Sequence, residues 1–444
     1  MNKDDIKALL AKYDYPVPRY TSFPTAVQFK PVQDAGTYFD CLSTLTPGEP
    51  VSLYVHIPFC HSLCHYCGCH TKIVHSYSPI ASYIDTLIKE IELVSRNLKS
   101  VQGVSRIHFG GGSPNYAKTQ DIKRILDTLG RYFDLSSAQI DMECDPRLLN
   151  DAKISDYAAL GLSRISLGIQ DFDAGVQKAI NRIQPFDMVK KQIEALHCNS
   201  IHNINFDLII GLPEQTLETV NETLDKVLEL QPARVAVFPY AHVPWMKKHQ
   251  KLLEKYEMPE TVLRYEMAKL TETRLKNAGY ETIGIDHFAR PDDSLVRALK
   301  NGNMRRNFQG YTDDPARTIL GFGLSSISQF EGAYTQNTTD APLYRKTVDN
   351  GEVPLARVLT LTQDDQDRRQ LIEELMCNFT VNFKNYKNIP VPHSALALLE
   401  QDGLIEIIGS RLQVTQSGKP FVRIIASHFD PYFKKESNRH AKAV

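Results

Sequence analysis

The chain has 444 residues, of which 42% are apolar and 23% are charged, and this composition is typical of a globular protein with a buried core. Its net charge of -1 at pH 7 excludes a global field that would recruit nucleic acid or an anionic membrane, so neither is expected as a partner. The first residues lack an apolar signal core, and no stretch approaches the roughly 18 apolar residues of a membrane span. A cytoplasmic location is therefore predicted.

From residue 51 to about residue 240, short apolar runs alternate with longer amphipathic stretches. The predicted strands span Val51–Phe59, Arg106–Phe109, Gln139–Glu143, Arg164–Ile169, Asn203–Ile210 and Arg234–Phe238. Amphipathic helices lie between these strands, and a further helix is predicted near residues 259–278. Six strand-helix units in succession predict a parallel sheet with right-handed crossovers, either open or closed into a full or partial barrel.

Polar residues gather directly after these strands, in the segments HIPFC, GGGSP, ECDP, IQDF and IIGLP. In barrels and in open α/β sheets, ligand-binding and catalytic groups collect at the carboxyl ends of the strands. One face of the predicted sheet is therefore expected to carry the chemistry.

The rest of the chain is less regular at first and then becomes mainly helical. Residues 280–330 are predicted to form structured loops. From about residue 363 the order is helix, helix, strand pair and helix, which resembles a winged helix. The segment that would contact DNA has no basic stripe, which favours a domain covering the barrel mouth over DNA binding. The predicted domains are an N-terminal covering segment (1–50), the barrel (51–330) and a mainly helical domain (331–444).

Four of the eight cysteines lie within residues 60–69. Thiols stay reduced in the cytosol, so this grouping indicates a metal site rather than a disulfide framework. Cys60, Cys64 and Cys67 have the spacing C-x3-C-x2-C on one loop. A structural zinc site that also uses Cys69 is one interpretation, although such sites prefer C-x2-C pairs from two segments. The other interpretation is an iron-sulfur cluster held by three cysteines, which would leave one iron with an open coordination position for chemistry.

The cysteine loop, with Tyr66 just before its third cysteine and GGG after the second strand, resembles that of the radical S-adenosylmethionine enzymes. The resemblance implies that Cys60, Cys64 and Cys67 ligate a 4Fe-4S cluster whose open iron chelates S-adenosylmethionine. It also implies that a 5'-deoxyadenosyl radical is released. The fold that it implies is an α/β partial (β/α)6 barrel, in agreement with the six units above.

Segments along nearly the whole chain resemble the oxygen-independent coproporphyrinogen III oxidases, among them PRYTSFP, SLGIQDF, NFDLIIGLP, YAHVP and RNFQGY. That family converts two propionates of coproporphyrinogen III to vinyl groups in haem biosynthesis and carries two S-adenosylmethionine molecules. The resemblance implies coproporphyrinogen III as the substrate and an electron donor such as flavodoxin or ferredoxin. We expect the chain to act as a monomer.

The resemblance also implies a set of site residues. Around the cluster-bound cofactor it places Tyr54, Gly111, Glu143 and Ile327. Around the second cofactor it places Tyr66, Gly112, Ser113, Gln170, Arg182, Asp207 and Ala241. Gln309 and Cys69 are the expected catalytic residues. Cys69 is expected to face the cofactors without binding the cluster, because a fourth thiol would cap every iron.

The chemistry of these positions fits such roles. Glu143 and Asp207 end strands, and each can accept charge-assisted hydrogen bonds from a ribose or an ammonium group. Arg182 can bind a carboxylate through two parallel hydrogen bonds. A substrate with four propionates needs further cations. The candidates are Arg19, Arg290, Arg305 and Arg306.

Two related classes and a degenerate binding protein remain alternatives. A haem chaperone of the same superfamily carries a His-Asn-x-x-Tyr-Trp motif, whereas the matching segment here, residues 306–311, reads RNFQGY. A radical methyltransferase that opens haem is disfavoured by the N-terminal PRYTSFP segment. These features favour the oxidase.

Overall fold

The computed structural model describes residues 3–32 and 34–435. The strands are β1 Lys30–Pro31, β2 Val51–Ile57, β3 Phe59–Cys60, β4 Lys72–Ile73, β5 Val104–Gly111, β6 Gln139–Cys144, β7 Leu162–Gln170, β8 Asn203–Ile210, β9 Arg234–Pro239, β10 Glu281–Ile283, β11 His287–Ala289, β12 Arg305–Asn307, β13 Gly310–Thr312, β14 Thr318–Phe322, β15 Ile327–Gln329, β16 Ala333–Asn337, β17 Leu355–Thr360, β18 Thr380–Asn382, β19 Ile405–Ile408 and β20 Arg411–Val414. The helices are α1 Lys3–Tyr13, α2 Gly36–Ser43, α3 Ser78–Ser95, α4 Thr119–Tyr132, α5 Asp151–Ala159, α6 Ala174–Ala179, α7 Phe186–Cys198, α8 Leu217–Leu230, α9 Thr261–Asn277, α10 Ser294–Lys300, α11 Ala341–Asp349, α12 Gln363–Asn378, α13 His393–Gln401 and α14 Val422–Ser427.

Within the described residues, thirteen strands form one sheet in the order β1-β17-β16-β15-β14-β2-β5-β6-β7-β8-β9-β11-β10. The six predicted strands are β2 and β5–β9, and each pairs in parallel with its neighbour. Helices α3, α4, α5, α7, α8 and α9 contact one another in succession, which places them in one layer outside the sheet. This arrangement confirms the predicted partial barrel.

The two faces of the central strands differ, as the alternation of side chains along a strand requires. Ile107, Phe109 and Phe206 point toward the helices and belong to the largest buried core. Their neighbours His108 and Asp207 point the other way, into the lumen of the barrel, where His108 approaches Glu143 at 3.3 Å. The lumen is therefore polar, while its outer wall is held by apolar packing.

Buried ion pairs lie at the amino ends of the strands. Arg106 contacts Asp141 at 3.4 Å and Asp313 at 2.9 Å, and Arg234 contacts Asp293 at 2.6 Å. These side chains are about nine-tenths or more buried. They close this end of the barrel, so the lumen opens at the carboxyl ends.

The first predicted strand ends two residues early, at Ile57. Pro58 has no N–H to donate to the sheet, and the chain leaves the sheet there. It continues as β3, which pairs in parallel with β4 on the far side of the cysteine loop. The loop therefore begins and ends at one short strand pair.

The prediction of structured loops for residues 280–330 is wrong, because β10–β15 lie there. Each of these strands has only three to five residues, too few to show a hydrophobic period. Strand β14 pairs in parallel with β2, and β15, β16, β17 and β1 extend that edge antiparallel. The sheet thus continues beyond residue 330 and includes a strand from residues 1–50.

A second apolar core joins the two ends of the chain. Leu10 and Phe23 from the N-terminal segment pack in the same cluster as Leu375, Phe421 and Ile425 from the C-terminal region. There α12, β18, α13, the β19–β20 hairpin and α14 follow one another, in agreement with the predicted winged-helix order. In the part of the chain that the structure describes, no helix has the length and apolarity to cross a membrane.

Candidate active site

A cavity of about 250 Å³ lies at the carboxyl ends of the parallel strands. Twelve of the predicted site residues line it. They are Cys60, Cys64, Tyr66, Cys67, Cys69, Gly111, Gly112, Ser113, Glu143, Gln170, Arg182 and Asp207. Residues from the four neighbouring strands β5–β8 and from the cysteine loop therefore meet at one place, as the polar segments after the strands predict.

Four predicted residues lie outside the lining of this cavity. Tyr54 is on the adjacent strand β2 and hydrogen-bonds His56 Nδ1 at 2.9 Å. The Ala241 carbonyl accepts a 3.2 Å hydrogen bond from Gln250, which also donates to the Tyr66 carbonyl at 2.9 Å. Ile327 begins β15, against Gly321, and Gln309 is an exposed residue in the turn between β12 and β13. Their roles stay predictions.

The cysteine loop is fixed by hydrogen bonds from surrounding segments. Ile180 accepts from the His65 N–H at 3.0 Å, and Asn181 donates to the Leu63 carbonyl at 2.8 Å. On the other side, His249 bonds the Cys67 carbonyl at 2.8 Å. The loop has little regular structure of its own, so these neighbours determine where the thiols lie.

Two of the thiols receive hydrogen bonds from polar side chains. Arg182 donates to Cys64 Sγ at 3.4 Å and Arg147 at 3.6 Å, while Ser113 donates to Cys60 Sγ at 3.5 Å. A hydrogen bond from the Cys69 thiol lowers the pKa of Cys67 to about 6. Burial nevertheless raises the pKa of Cys60 to about 11, so the Ser113 hydrogen bond offsets only part of that shift. The thiolate is the form that binds metal.

Arg147 and Asp145 are site residues that the sequence reasoning missed. Asp145 contacts Arg147 at 2.7 Å and Arg182 at 3.4 Å, so it holds both guanidinium groups beside Cys64. The two arginines and the backbone N–H of Arg147 keep the pKa of Asp145 low despite its burial. The signal was present, because ECDP was recognised as a polar segment and Arg147 follows it directly.

Glu143 and Asp207 face the cavity, and their pKa values are shifted in opposite directions. Burial alone would raise the pKa of Glu143, but hydrogen bonds from His108 and from the Gly111 N–H hold it below its usual value. Burial, with the nearby charge of Glu143, raises the pKa of Asp207 to about 6. At neutral pH both carboxylates accept hydrogen bonds, and Asp207 is the first to lose its charge as the pH falls.

Two glycines at the end of β5 allow this strand and the start of the cysteine loop to approach each other. Gly111 has φ +112°, and a Cβ there would lie 2.5 Å from the His56 ring. At Gly112 a Cβ would lie 2.7 Å from the Phe59 carbonyl oxygen. Only glycine fits at these positions, because a side chain would push the loop away from the strand ends.

A cluster of three arginines lies near the carboxyl end of β9, where Arg19 donates to the Pro239 carbonyl at 3.3 Å. Arg306 donates to the Tyr20 carbonyl at 3.2 Å and to the Arg19 carbonyl at 3.3 Å, and its Nη1 is buried without a hydrogen-bond partner. Burial and the charge of Arg19 lower the pKa of Arg423 to about 10. Burial would raise the pKa of Asp286, but His287, Arg306 and Arg19 hold it at about 2. One carboxylate thus faces three guanidinium groups.

The other two candidate arginines lie at the opposite end of the barrel. Arg290 follows β11 and donates its N–H to Ala233, directly before β9 begins. Arg305 donates to the Ala316 carbonyl at 3.0 Å and contacts Glu373 at 3.5 Å, near the start of β14. These positions separate Arg290 and Arg305 from the cavity.

Residues 54–227 match the model of the radical SAM superfamily. An oxygen-independent coproporphyrinogen III oxidase of Bradyrhizobium diazoefficiens is 40% identical, and the match covers 96% of this chain and 97% of that protein. The protein of the same description from Salmonella typhimurium is 37% identical over 97% of this chain and 96% of its own length.

The solved structure of coproporphyrinogen III oxidase (HemN) from Escherichia coli, described as a radical SAM enzyme, matches with a TM-score of 0.89 and 35% identity. That match covers 96% of this chain and 99% of the other. This chain belongs to the oxygen-independent coproporphyrinogen III oxidases. Membership in this family and in the radical SAM superfamily implies a 4Fe-4S cluster and S-adenosylmethionine.

The residues of this oxidase family member fit such a cluster. In residues 3–32 and 34–435, no three His, Cys, Asp or Glu side chains converge as ligands of a single metal ion would. Cys60, Cys64 and Cys67 instead surround one cavity, as thiolates bound to different irons would. Hydrogen bonds from Arg182, Arg147 and Ser113 to the thiols favour their charged form.

Proposed function

We propose that this chain catalyses the oxygen-independent oxidative decarboxylation of two propionate side chains of coproporphyrinogen III. Each propionate loses a hydrogen atom to the 5'-deoxyadenosyl radical, which becomes 5'-deoxyadenosine. It then loses carbon dioxide and one electron, which passes to a one-electron acceptor, and becomes a vinyl group, so the product is protoporphyrinogen IX of haem biosynthesis. The observation that carries the proposal is that the three thiols surround the same cavity that Glu143 and Asp207 face. The full-length similarity to coproporphyrinogen III oxidases supports the choice of substrate.

Each group at the site has a physical role in this proposal. When bound, the cluster and S-adenosylmethionine supply a 5'-deoxyadenosyl radical that removes the hydrogen atom. Cys60, Cys64 and Cys67 hold the cluster as thiolates, and Arg147 balances the charge of Cys64. Glu143, charged at neutral pH, accepts hydrogen bonds from the ammonium or ribose hydroxyls of the cofactor. The remaining proposed residues of this cofactor site are Tyr54, Gly111 and Ile327.

We further propose that a second S-adenosylmethionine molecule binds along the wall that contains Asp207. The proposed residues of this site are Tyr66, Gly112, Ser113, Gln170, Arg182 and Asp207 in the wall, together with Ala241 outside the lining. Asp207 is charged above pH 6 and can accept hydrogen bonds from a ribose, while Arg182 can attract a carboxylate. The cavity contains two carboxylates, Glu143 and Asp207. Their negative charge favours two bound cationic cofactor molecules over a single one.

The arginine cluster is proposed to bind the propionates of the substrate that do not react. Arg19 is exposed to the lumen, and its guanidinium lies 5.9 Å from the Phe238 ring. Arg306 and Arg423 are buried nearby and add positive charge that suits a tetracarboxylate.

The three segments of the chain have different roles in this proposal. Residues 1–50 cover the barrel mouth and exclude water, residues 51–330 carry the chemistry, and residues 331–444 supply Arg423. Cys69 and Gln309 act on the cofactors and substrate without binding the cluster. The enzyme acts as a monomer and receives electrons from a flavodoxin or ferredoxin. We place it in the cytoplasm, where free cysteines and the cluster stay reduced.

Cofactor content and cofactor cleavage test the proposal together. Anaerobic reconstitution should give about four irons per chain, and 5'-deoxyadenosine should form faster when coproporphyrinogen III is added. Asp207→Asn should lower the S-adenosylmethionine occupancy from two to one without changing the visible spectrum of the cluster. The exposed Cys198, at the end of α7, provides the control Cys198→Ser, which should retain both occupancies. One tightly bound zinc ion and no iron would contradict the proposal.

A further inference from the structure

An exposed apolar pair lies beside the cysteine loop. Trp245 is the only tryptophan of the sequence, and it is 60% exposed. Its neighbour Met246 is 63% exposed. Among the described residues, no other two consecutive large apolar side chains are both exposed in this way. Tryptophan and methionine are enriched at protein-protein interfaces, which makes this pair a candidate contact surface.

The segment that carries this pair is bound directly to the proposed cluster ligands. Lys247 Nζ donates to the Cys69 carbonyl at 2.7 Å, and His249 bonds the Cys67 carbonyl at 2.8 Å. Gln250 donates to the Tyr66 carbonyl at 2.9 Å and belongs to the 3₁₀ helix Lys248–Leu253. A protein seated on Trp245 would therefore contact the segment that packs on the Tyr66–Cys69 part of the cysteine loop, which includes the proposed ligand Cys67.

The same surface is positively charged although the whole chain is nearly neutral. Residues 242–256 contain four lysines and one acidic residue, Glu254, which contacts His242 at 3.3 Å. Residues 61–76, which include the cysteine loop, contain Lys72 and no aspartate or glutamate. Lys248 and Lys251 are exposed. We call Trp245, Met246, Lys248 and Lys251 the tryptophan-lysine surface.

We infer that the tryptophan-lysine surface is the docking site of a small acidic one-electron carrier protein. The inference rests on the proposed function, because cleavage of S-adenosylmethionine consumes an electron that must reach the cluster from outside. Electron transfer slows steeply with distance, so the carrier has to dock near the cysteines. Lysines around an apolar centre attract an acidic partner, and a second copy of this surface would be repelled by like charge.

Binding of a purified acidic bacterial flavodoxin tests the inference directly. Trp245→Ala should weaken binding about 30-fold, as the loss of a central aromatic contact does. Lys248→Glu combined with Lys251→Glu should weaken it at least about tenfold at low salt, with a smaller effect at high salt. The matched control is Lys99→Glu with Val101→Ala, an exposed pair before β5 at the other end of the barrel. That control should bind flavodoxin like the unaltered enzyme.

Reduction by a small chemical reductant separates this inference from the proposed function. Dithionite needs no docking surface, so dithionite-driven formation of 5'-deoxyadenosine should be unchanged in every variant, while flavodoxin-driven formation falls in parallel with binding. Unaltered flavodoxin binding by both surface variants would overturn the inference and leave the proposed function standing. Binding of duplex DNA or of phosphatidylglycerol vesicles in place of flavodoxin would also overturn it. Absence of dithionite-driven turnover would count against the proposed function, and the binding comparison would still decide the docking site.

Discussion

Removal of the Arg19 guanidinium should weaken substrate binding without affecting the cofactors. Arg19 lies in the N-terminal segment, and its side chain donates to the Pro239 carbonyl at 3.3 Å and projects into the lumen. In Arg19→Ala one propionate loses a charge-assisted hydrogen bond, which is worth about 1.5–3 kcal/mol. This free energy corresponds to a rise in KM for coproporphyrinogen III of about 10- to 150-fold. Since the contact is present both before and during reaction, kcat should change little.

Anaerobic initial rates at varied coproporphyrinogen III concentration would measure this effect. Arg290→Ala is the matched control, because Arg290 is an exposed arginine whose Nε lies 3.6 Å from Asp292 at the other end of the barrel. Its KM should stay close to that of the unaltered enzyme. If the two substitutions raised KM equally, or if Arg19→Ala left KM unchanged, the assignment of the arginine cluster to the propionates would be refuted.

Three further predictions concern the cavity. Cys64→Ser should remove the iron and the broad visible absorbance of the reconstituted enzyme, and retention of about four irons would show that Cys64 is not a ligand. Cys69→Ser should keep the iron and an electron-paramagnetic signal that responds to S-adenosylmethionine, while decarboxylation slows; loss of the cluster would make Cys69 a ligand. Asp207 loses its charge as the pH falls through about 6, so binding of the second S-adenosylmethionine should weaken below that pH. In Asp207→Asn this pH dependence should disappear, and its persistence would assign the titration to another group.

The central sheet and the position of the site could be predicted because their signals are local in sequence. Each central strand is a short apolar run between amphipathic helices, and Glu143 comes near the carboxyl end of β6 as expected, whereas Asp207, expected to end its strand, lies within β8. The C-x3-C-x2-C spacing lies within one loop, so it can be recognised without knowledge of contacts with the rest of the chain. Parallel strands then bring these segments to one edge, so the cavity follows from the order of the elements.

The remaining features depend on contacts between distant residues. Arg306 is placed by a contact with the distant N-terminal segment, because its guanidinium donates to the Tyr20 carbonyl. Arg423 reaches the same place on α14, more than a hundred residues later in the chain. The short strands of residues 280–330 are fixed by partners such as β2 and β9, which no local pattern reveals.

Anaerobic conversion of coproporphyrinogen III, with the tetrapyrrole product identified by mass spectrometry, tests the central claim most directly. The reconstituted enzyme with S-adenosylmethionine and a reductant should release two molecules of carbon dioxide per substrate and form protoporphyrinogen IX. Cys64→Ser should form none. An unchanged tetrapyrrole, or a ring-opened or methylated product, would contradict the account.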